Sequence, residues 1–329
     1  MMTHTRYLLK IVAVGTSLQL VHCGAKTGLR EPCILPLSGT TPAFVLGYET
    51  SNATIVWEGN DAFSGPLPPY LEYISCSRAI LPALQAHAAI GAIAGPVPTE
   101  TMPGVYCPNP TSMSQPIMLN NADAIINEMV TTRTFSSRPG NAVTGLLHVA
   151  AQALRALPPQ YDPRIIVFMN TGGASCLEPP NNLQTHIAPL VALTATGIRT
   201  MVISNRRPMS FSSQSNELAV AGGMPTGNVA EQFYGSDDPA PIRERLEKEL
   251  FEPAYCRLRV EAASRGPDGW MLDGDEGFTA ARDSTHRSGW DWSNPERTRI
   301  ELFGETCRHI ARRRVRPRLV SAVYSCATS

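Results

Sequence analysis

Apolar residues fall into two textures along this chain. Between residue 43 and about residue 250, short consecutive apolar runs alternate with stretches whose apolar positions recur every three or four residues. The strongest run is Ile165, Ile166, Val167, Phe168 and Met169, which breaks into Asn170, Thr171, Gly172 and Gly173. Such a run predicts a fully buried strand that emerges into a loop at its carboxyl end. Further strands are predicted at 43–46, 54–57, 198–204 and 232–234, with a weak one at 91–97 because Gly95 and Pro96 interrupt it. Helical spacing predicts helices at 70–90, 121–129, 140–157, 182–196, 216–221 and 240–250, and Pro82 is expected to kink or split the first. Residues 99–115, with three prolines, read as loop.

Beyond Tyr255 the period changes. Residues 256–262 alternate with period two, as do parts of 298–303 and 319–324, so short half-buried strands are expected there. We place a boundary near residue 254. Strands alternating with helices imply a parallel sheet covered on both faces. The fold class is therefore α/β, with a doubly wound, mainly parallel sheet over 42–254 and a small β-rich, disulfide-stapled unit over 255–329.

The first 41 residues have a different character. Arg6 and Lys10 precede a largely apolar stretch, 11–21, too short to span a bilayer as a helix, and it ends at Cys23. Residues 1–23 read as an export signal and 24–41, rich in Gly, Pro and Thr, as a linker. The signal resembles that of bacterial lipoproteins, which implies lipidation at Cys23 and export to the cell envelope, either periplasmic or on the outer surface. His22 departs from the small residue that usually precedes the modified Cys; ordinary secretion with cleavage elsewhere is the alternative. The implied partner is the membrane, reached through lipidated Cys23, together with an unidentified envelope or extracellular protein.

Export makes the eight cysteines legible. They contain no CxxC pair, so disulfides fit better than zinc. At least one bridge is expected among Cys256, Cys307 and Cys326. The 28 basic and 28 acidic residues balance, which gives no reason to expect a nucleic-acid partner.

The order of elements resembles a von Willebrand factor A domain of bacterial secreted lipoproteins. The pieces that carry the likeness are 44–47, 140–147, 167–176, 198–204, 218–223 and 232–234, with a cysteine-bearing extension at 289–292 and 297–307. The family's metal site has a DxSxS motif, a Thr in the second loop and an Asp in the third. Here those positions hold Gly47, Glu49 and Ser51, then Ala142 with Thr144 nearby, then Thr171. Most of the oxygen ligands that a hard cation needs are missing, so no metal, cofactor or catalytic residue is expected.

Other candidates have structural readings beside the functional ones. The acidic turn of Asp273, Asp275 and Glu276 lacks the length of an EF-hand loop. Trp270, Trp290 and Trp292 fit a small core or a sugar-stacking face. Arg312, Arg313, Arg314, Arg316 and Arg318 fit a solvated turn or a contact with anionic headgroups. His148 reads as a helix residue facing the core or a satisfied polar neighbour. Cys176 reads as a disulfide partner, and Ser175 has no GxSxG context. The expected function is a non-enzymatic binding or structural module, with a metal-dependent adhesin or an envelope hydrolase as alternatives.

Overall fold

Two strands open the described part of the chain, β1 (Cys33–Ser38) and β2 (Thr41–Glu49), and they enter different sheets. A computed structural model describes residues 33–49, 68–95, 110–131, 143–170, 184–205, 212–260, 270–274 and 277–321. Cys23, the expected strand at 54–57 and the loop 171–176 lie outside these residues. The switch between sheets occurs at Gly39, where a Cβ would meet the Ala254 carbonyl oxygen at 2.5 Å. Only glycine permits so close an approach.

The chain continues through α1 (Pro68–Leu84), β3 (Ala89–Gly95), β4 (Gln115–Met118), α2 (Ala122–Thr131), α3 (Val143–Ala156) and β5 (Tyr161–Asn170). Then come α4 (Gln184–Ala195), β6 (Arg199–Ser204), α5 (Ser212–Ala221), β7 (Tyr234–Gly235) and α6 (Pro239–Cys256). Six strands form a sheet in the order β4-β3-β2-β5-β6-β7, parallel throughout except for β4. Counted within this sheet the order is 3-2-1-4-5-6, that of a doubly wound fold.

Period two decides which layer each strand residue faces. Phe44, Leu46 and Tyr48 pack with Ile165, Val167 and Met169 beneath α1, α2 and α6. Ala43 and Val45 pack with Ile166 and Phe168 beneath α3, α4 and α5. A fully buried side chain of this size contributes roughly 1.5–3 kcal/mol.

The remaining elements are β8 (Arg257–Val260), β9 (Met271–Asp273), β10 (Thr279–Ala281), β11 (Gly289–Trp292), β12 (Arg299–Phe303), α7 (Gly304–Arg313) and β13 (Arg318–Ser321). With β1 they form an antiparallel sheet in the order β10-β9-β13-β1-β8-β12-β11. A bridge from Arg282 to Trp290 joins its two outer strands, so the sheet curls back on itself. Gly289, at φ 109°, makes that closure possible, because a Cβ there would collide with the Ala281 carbonyl oxygen.

Several expectations need correction. Residues 24–41 are not a linker throughout, since β1 pairs with both β13 and β8. The boundary near 254 falls inside α6, whose final residues share one core with Leu258, Leu272, Trp290 and Leu319. Far from weak, β3 is buried between β2 and β4; Gly91 lets Ile117 and Met113 approach, each 2.7 Å from where a Cβ would stand. Pro82 lies in the last turn of α1 and does not split it; the helix runs on to Leu84. His148 is exposed on α3 rather than turned to the core. Trp270 and Trp290 are buried, in agreement with the small-core reading rather than the stacking face.

Candidate functional site

Ligands of an open doubly wound sheet bind beyond the carboxyl ends of its strands, where the strand order reverses. Here that point lies between β2 and β5, at Tyr48 and Asn170. The described residues present a hydrogen-bond network there. The Asn170 carbonyl accepts from Tyr73 Oη of α1 at 2.6 Å and from Ser204 Oγ of β6 at 3.0 Å. The Asn170 side chain donates from Nδ2 to Ser215 Oγ of α5 at 3.0 Å. One strand end is thereby tied to helices on both faces of the sheet.

Neighbouring groups are held in the same way. Ser236 donates its backbone N–H to the Ser204 carbonyl at 3.0 Å and its hydroxyl to Glu72 Oε2 at 3.2 Å. Tyr48 Oη donates to Glu128 Oε1 of α2 at 2.6 Å, and Tyr70 Oη to the Met129 carbonyl at 2.8 Å. Burial, reinforced by the Glu128 charge, raises the Tyr70 pKa well above the phenol range. Cys76 is a buried free thiol pushed up to about 12 by burial and by Asp237. A thiol so protonated is a poor nucleophile.

Of the metal positions implied by the sequence, Gly47 and Thr144 lie among the described residues. Gly47 brings no oxygen, and a Cβ there would rest on the Phe168 ring at 3.6 Å and on Leu146 at 3.9 Å. That apolar setting does not fit a hard cation, which requires oxygen ligands. Thr144 is half-buried in the first turn of α3. Ser51, Ala142, Thr171 and the Glu49 side chain lie outside the described residues. Among the described residues no three His, Cys, Asp or Glu side chains gather as a metal site would require.

Asn170 had been legible as the end of a buried strand, whereas Tyr73 and Ser215 had not. Tyr73 sits in an apolar helical pattern, and nothing local in the sequence says that its hydroxyl reaches a strand end 97 residues away. At the acidic turn Gly274 bonds back to Phe278 and Asp273 pairs with Arg318 at 3.5 Å, while Asp275 and Glu276 lie outside the described residues. A cleft of about 420 Å³ beside β7 is lined by Phe233, Tyr234, Asp238, Arg245 and Lys248. Arg245 is already engaged with Glu249 at 2.8 Å.

No family model and no curated protein matches the chain. Among solved structures it is similar to an aerotolerance-related membrane protein from Bacteroides fragilis, at 11% identity over 64% of this chain and 98% of that one, with a TM-score of 0.41. It is also similar to the conserved hypothetical protein BatB from Bacteroides thetaiotaomicron, at 12% identity over 63% and 98%, with a TM-score of 0.41. A third is the manganese-loaded TRAP protein of Plasmodium vivax, at 13% identity over 79% and 90%, with a TM-score of 0.43. Likenesses this distant carry no argument about activity or partners. The fold class rests on the chain's own topology, a doubly wound, mainly parallel α/β sheet followed by a disulfide-stapled β unit.

Proposed function

We propose that the chain is a lipid-anchored cell-envelope protein whose doubly wound domain is a metal-independent binding or structural module. The observation that supports this reading is the network around Asn170, whose carbonyl accepts from Tyr73 and Ser204 while its side-chain amide donates to Ser215, so that strand, helix and helix are tied together where a ligand would bind. Chemistry at that edge would call for a nucleophile, a base and a group to orient the base. The described edge offers tyrosine and serine hydroxyls that point inward and a protonated thiol.

The anchor reading rests on the sequence around Cys23. Acyl chains gain roughly 0.8 kcal/mol for each buried methylene, so multiple acylation at one Cys would hold the protein firmly at a membrane. No helix among the described residues is long and apolar enough to cross one. Fractionation of cells producing the full chain tests the reading. The protein should sediment with membranes, and Cys23→Ala should release it. A native chain found in the soluble fraction would overturn the anchor.

A further inference from the structure

We propose that the outer face of the antiparallel sheet is a docking surface for an anionic phospholipid membrane. The inference rests on the lipid-anchored reading only for the distance of the sheet from the bilayer; the surface itself is read from strand register.

In a curled sheet with one packed face, outward positions should be polar. The inward row Leu319, Leu272 and Ala280 is buried, as it should be. One outward row also obeys the rule: Arg318 opposes Asp273, and Asp273 opposes Thr279. The next outward row breaks it. Ile34 opposes Val320, Val320 opposes Met271, and Met271 opposes Ala281, giving one apolar row across β1, β13, β9 and β10. Ile34 is 41% and Met271 48% exposed, although neighbouring strands offer both an apolar partner.

The same face carries unneutralised positive charge. Arg259 of β8 and Arg299 of β12 are register partners, both exposed. Like charges directly opposite are unfavourable in a sheet. Arg257 is relieved by Glu301 at 3.2 Å and Arg318 by Asp273 at 3.5 Å, but among the described residues no acid serves Arg259 or Arg299. Arg259 opposes Ser38, four residues along β1 from Ile34, or about 13 Å at the rise of a strand.

Apolar side chains beside unpaired arginines match an anionic membrane surface. The apolar row enters the region between headgroups and acyl chains, and the guanidinium groups meet phosphate oxygens. Position agrees with this. Ten residues lead from Cys23 to Cys33, where β1 begins, and even fully extended they reach only about 35 Å. An acylated Cys23 would therefore keep this sheet within reach of the bilayer.

Vesicle flotation with the full-length Cys23→Ala protein separates docking from anchoring. The protein should float with vesicles of mixed phosphatidylglycerol and phosphatidylcholine, and not with phosphatidylcholine alone, and salt should weaken the binding. Arg259→Ser with Arg299→Ser should weaken it by roughly tenfold or more. Ile34→Ser with Met271→Ser should do so by a comparable factor. All four positions are exposed, so unchanged unfolding curves will show that the variants fold. Failure of the Cys23→Ala protein to float, or flotation of both double variants undiminished from that of the Cys23→Ala protein, would overturn the proposal. So would a concentration-dependent dimer lost in Ile34→Ser with Met271→Ser, which would assign the row to a second copy. None of these outcomes bears on whether the native chain is acylated, which fractionation reads independently.

Discussion

Cys256, the last residue of α6, is bonded to Cys307 in α7, 51 residues further along the chain. The bridge closes a loop that contains β8 to β12 and fastens the curled sheet to the helix that also covers the parallel one. A loop of this length confines the unfolded chain by about 4 kcal/mol in the chain-entropy account. Cys256→Ala with Cys307→Ala should lower the unfolding free energy by about that amount, and urea titration of the oxidised and variant proteins measures it. Equal midpoints would show that the bridge adds nothing to the shared core.

A second link between the two sheets is Arg314. It caps α7 in the left-handed region at φ 55°, lays its guanidinium 4.4 Å from the Phe251 ring centre, and donates to the Ala83 carbonyl and to Glu247, each at 2.9 Å. Arg314→Ala should cost about 2–3 kcal/mol, from the lost cation–π contact and the charged hydrogen bonds together. Arg314→Lys keeps the charge but cannot serve both acceptors from one fork, so its loss should be intermediate. Denaturant midpoints of the two variants will show the order.

His87 introduces a pH dependence. Its ring lies edge-on to Phe251, and Nδ1 is 3.3 Å from the Tyr255 hydroxyl. Burial and then the Arg314 charge hold its pKa below the ordinary value of 6.5. The unfolded chain therefore takes up a proton near pH 6.5 that the folded chain still refuses, so stability falls as the pH drops through that value and levels off below the folded pKa. His87→Gln should flatten the fall between about pH 7.5 and pH 5.5. A variant with an unchanged slope would remove His87 as its source.

The strand-end network predicts a specific non-additivity. Tyr73→Phe alone should cost about 1 kcal/mol, because Ser204 still serves the buried Asn170 carbonyl, and Ser204→Ala alone should cost a similar amount. Together they remove both side-chain hydroxyls from one carbonyl oxygen. The double variant should therefore lose more than the sum of the two singles, and a double-mutant cycle of unfolding free energies will read the excess.

Residues buried on both sides made the parallel sheet legible. The strands β2, β5 and β6 carry apolar runs at 43–46, 165–169 and 201–203, and α3 has the helical spacing of one packed face. By contrast β1 reads as linker in the sequence, since Cys33 to Ser38 becomes a strand only by pairing with β8 and with β13 at the far end of the chain. Gly95 and Pro96 weaken the local signal of β3, and nothing local shows that Gly91 lets the β4 segment close over that strand. At the candidate site the sequence displayed the missing oxygen at Gly47. It gave no sign of the hydroxyls of Tyr73 and Ser215, which reach Asn170 only through the tertiary fold.

The central proposal is that the doubly wound domain works without metal. Isothermal titration of the full-length protein in detergent with Mg²⁺, Mn²⁺ and Ca²⁺ tests this most directly. The account predicts no heat beyond that of dilution for any of the three ions. Saturable one-to-one binding that Thr144→Ala weakens would contradict it, and would establish a metal site at the edge of the sheet.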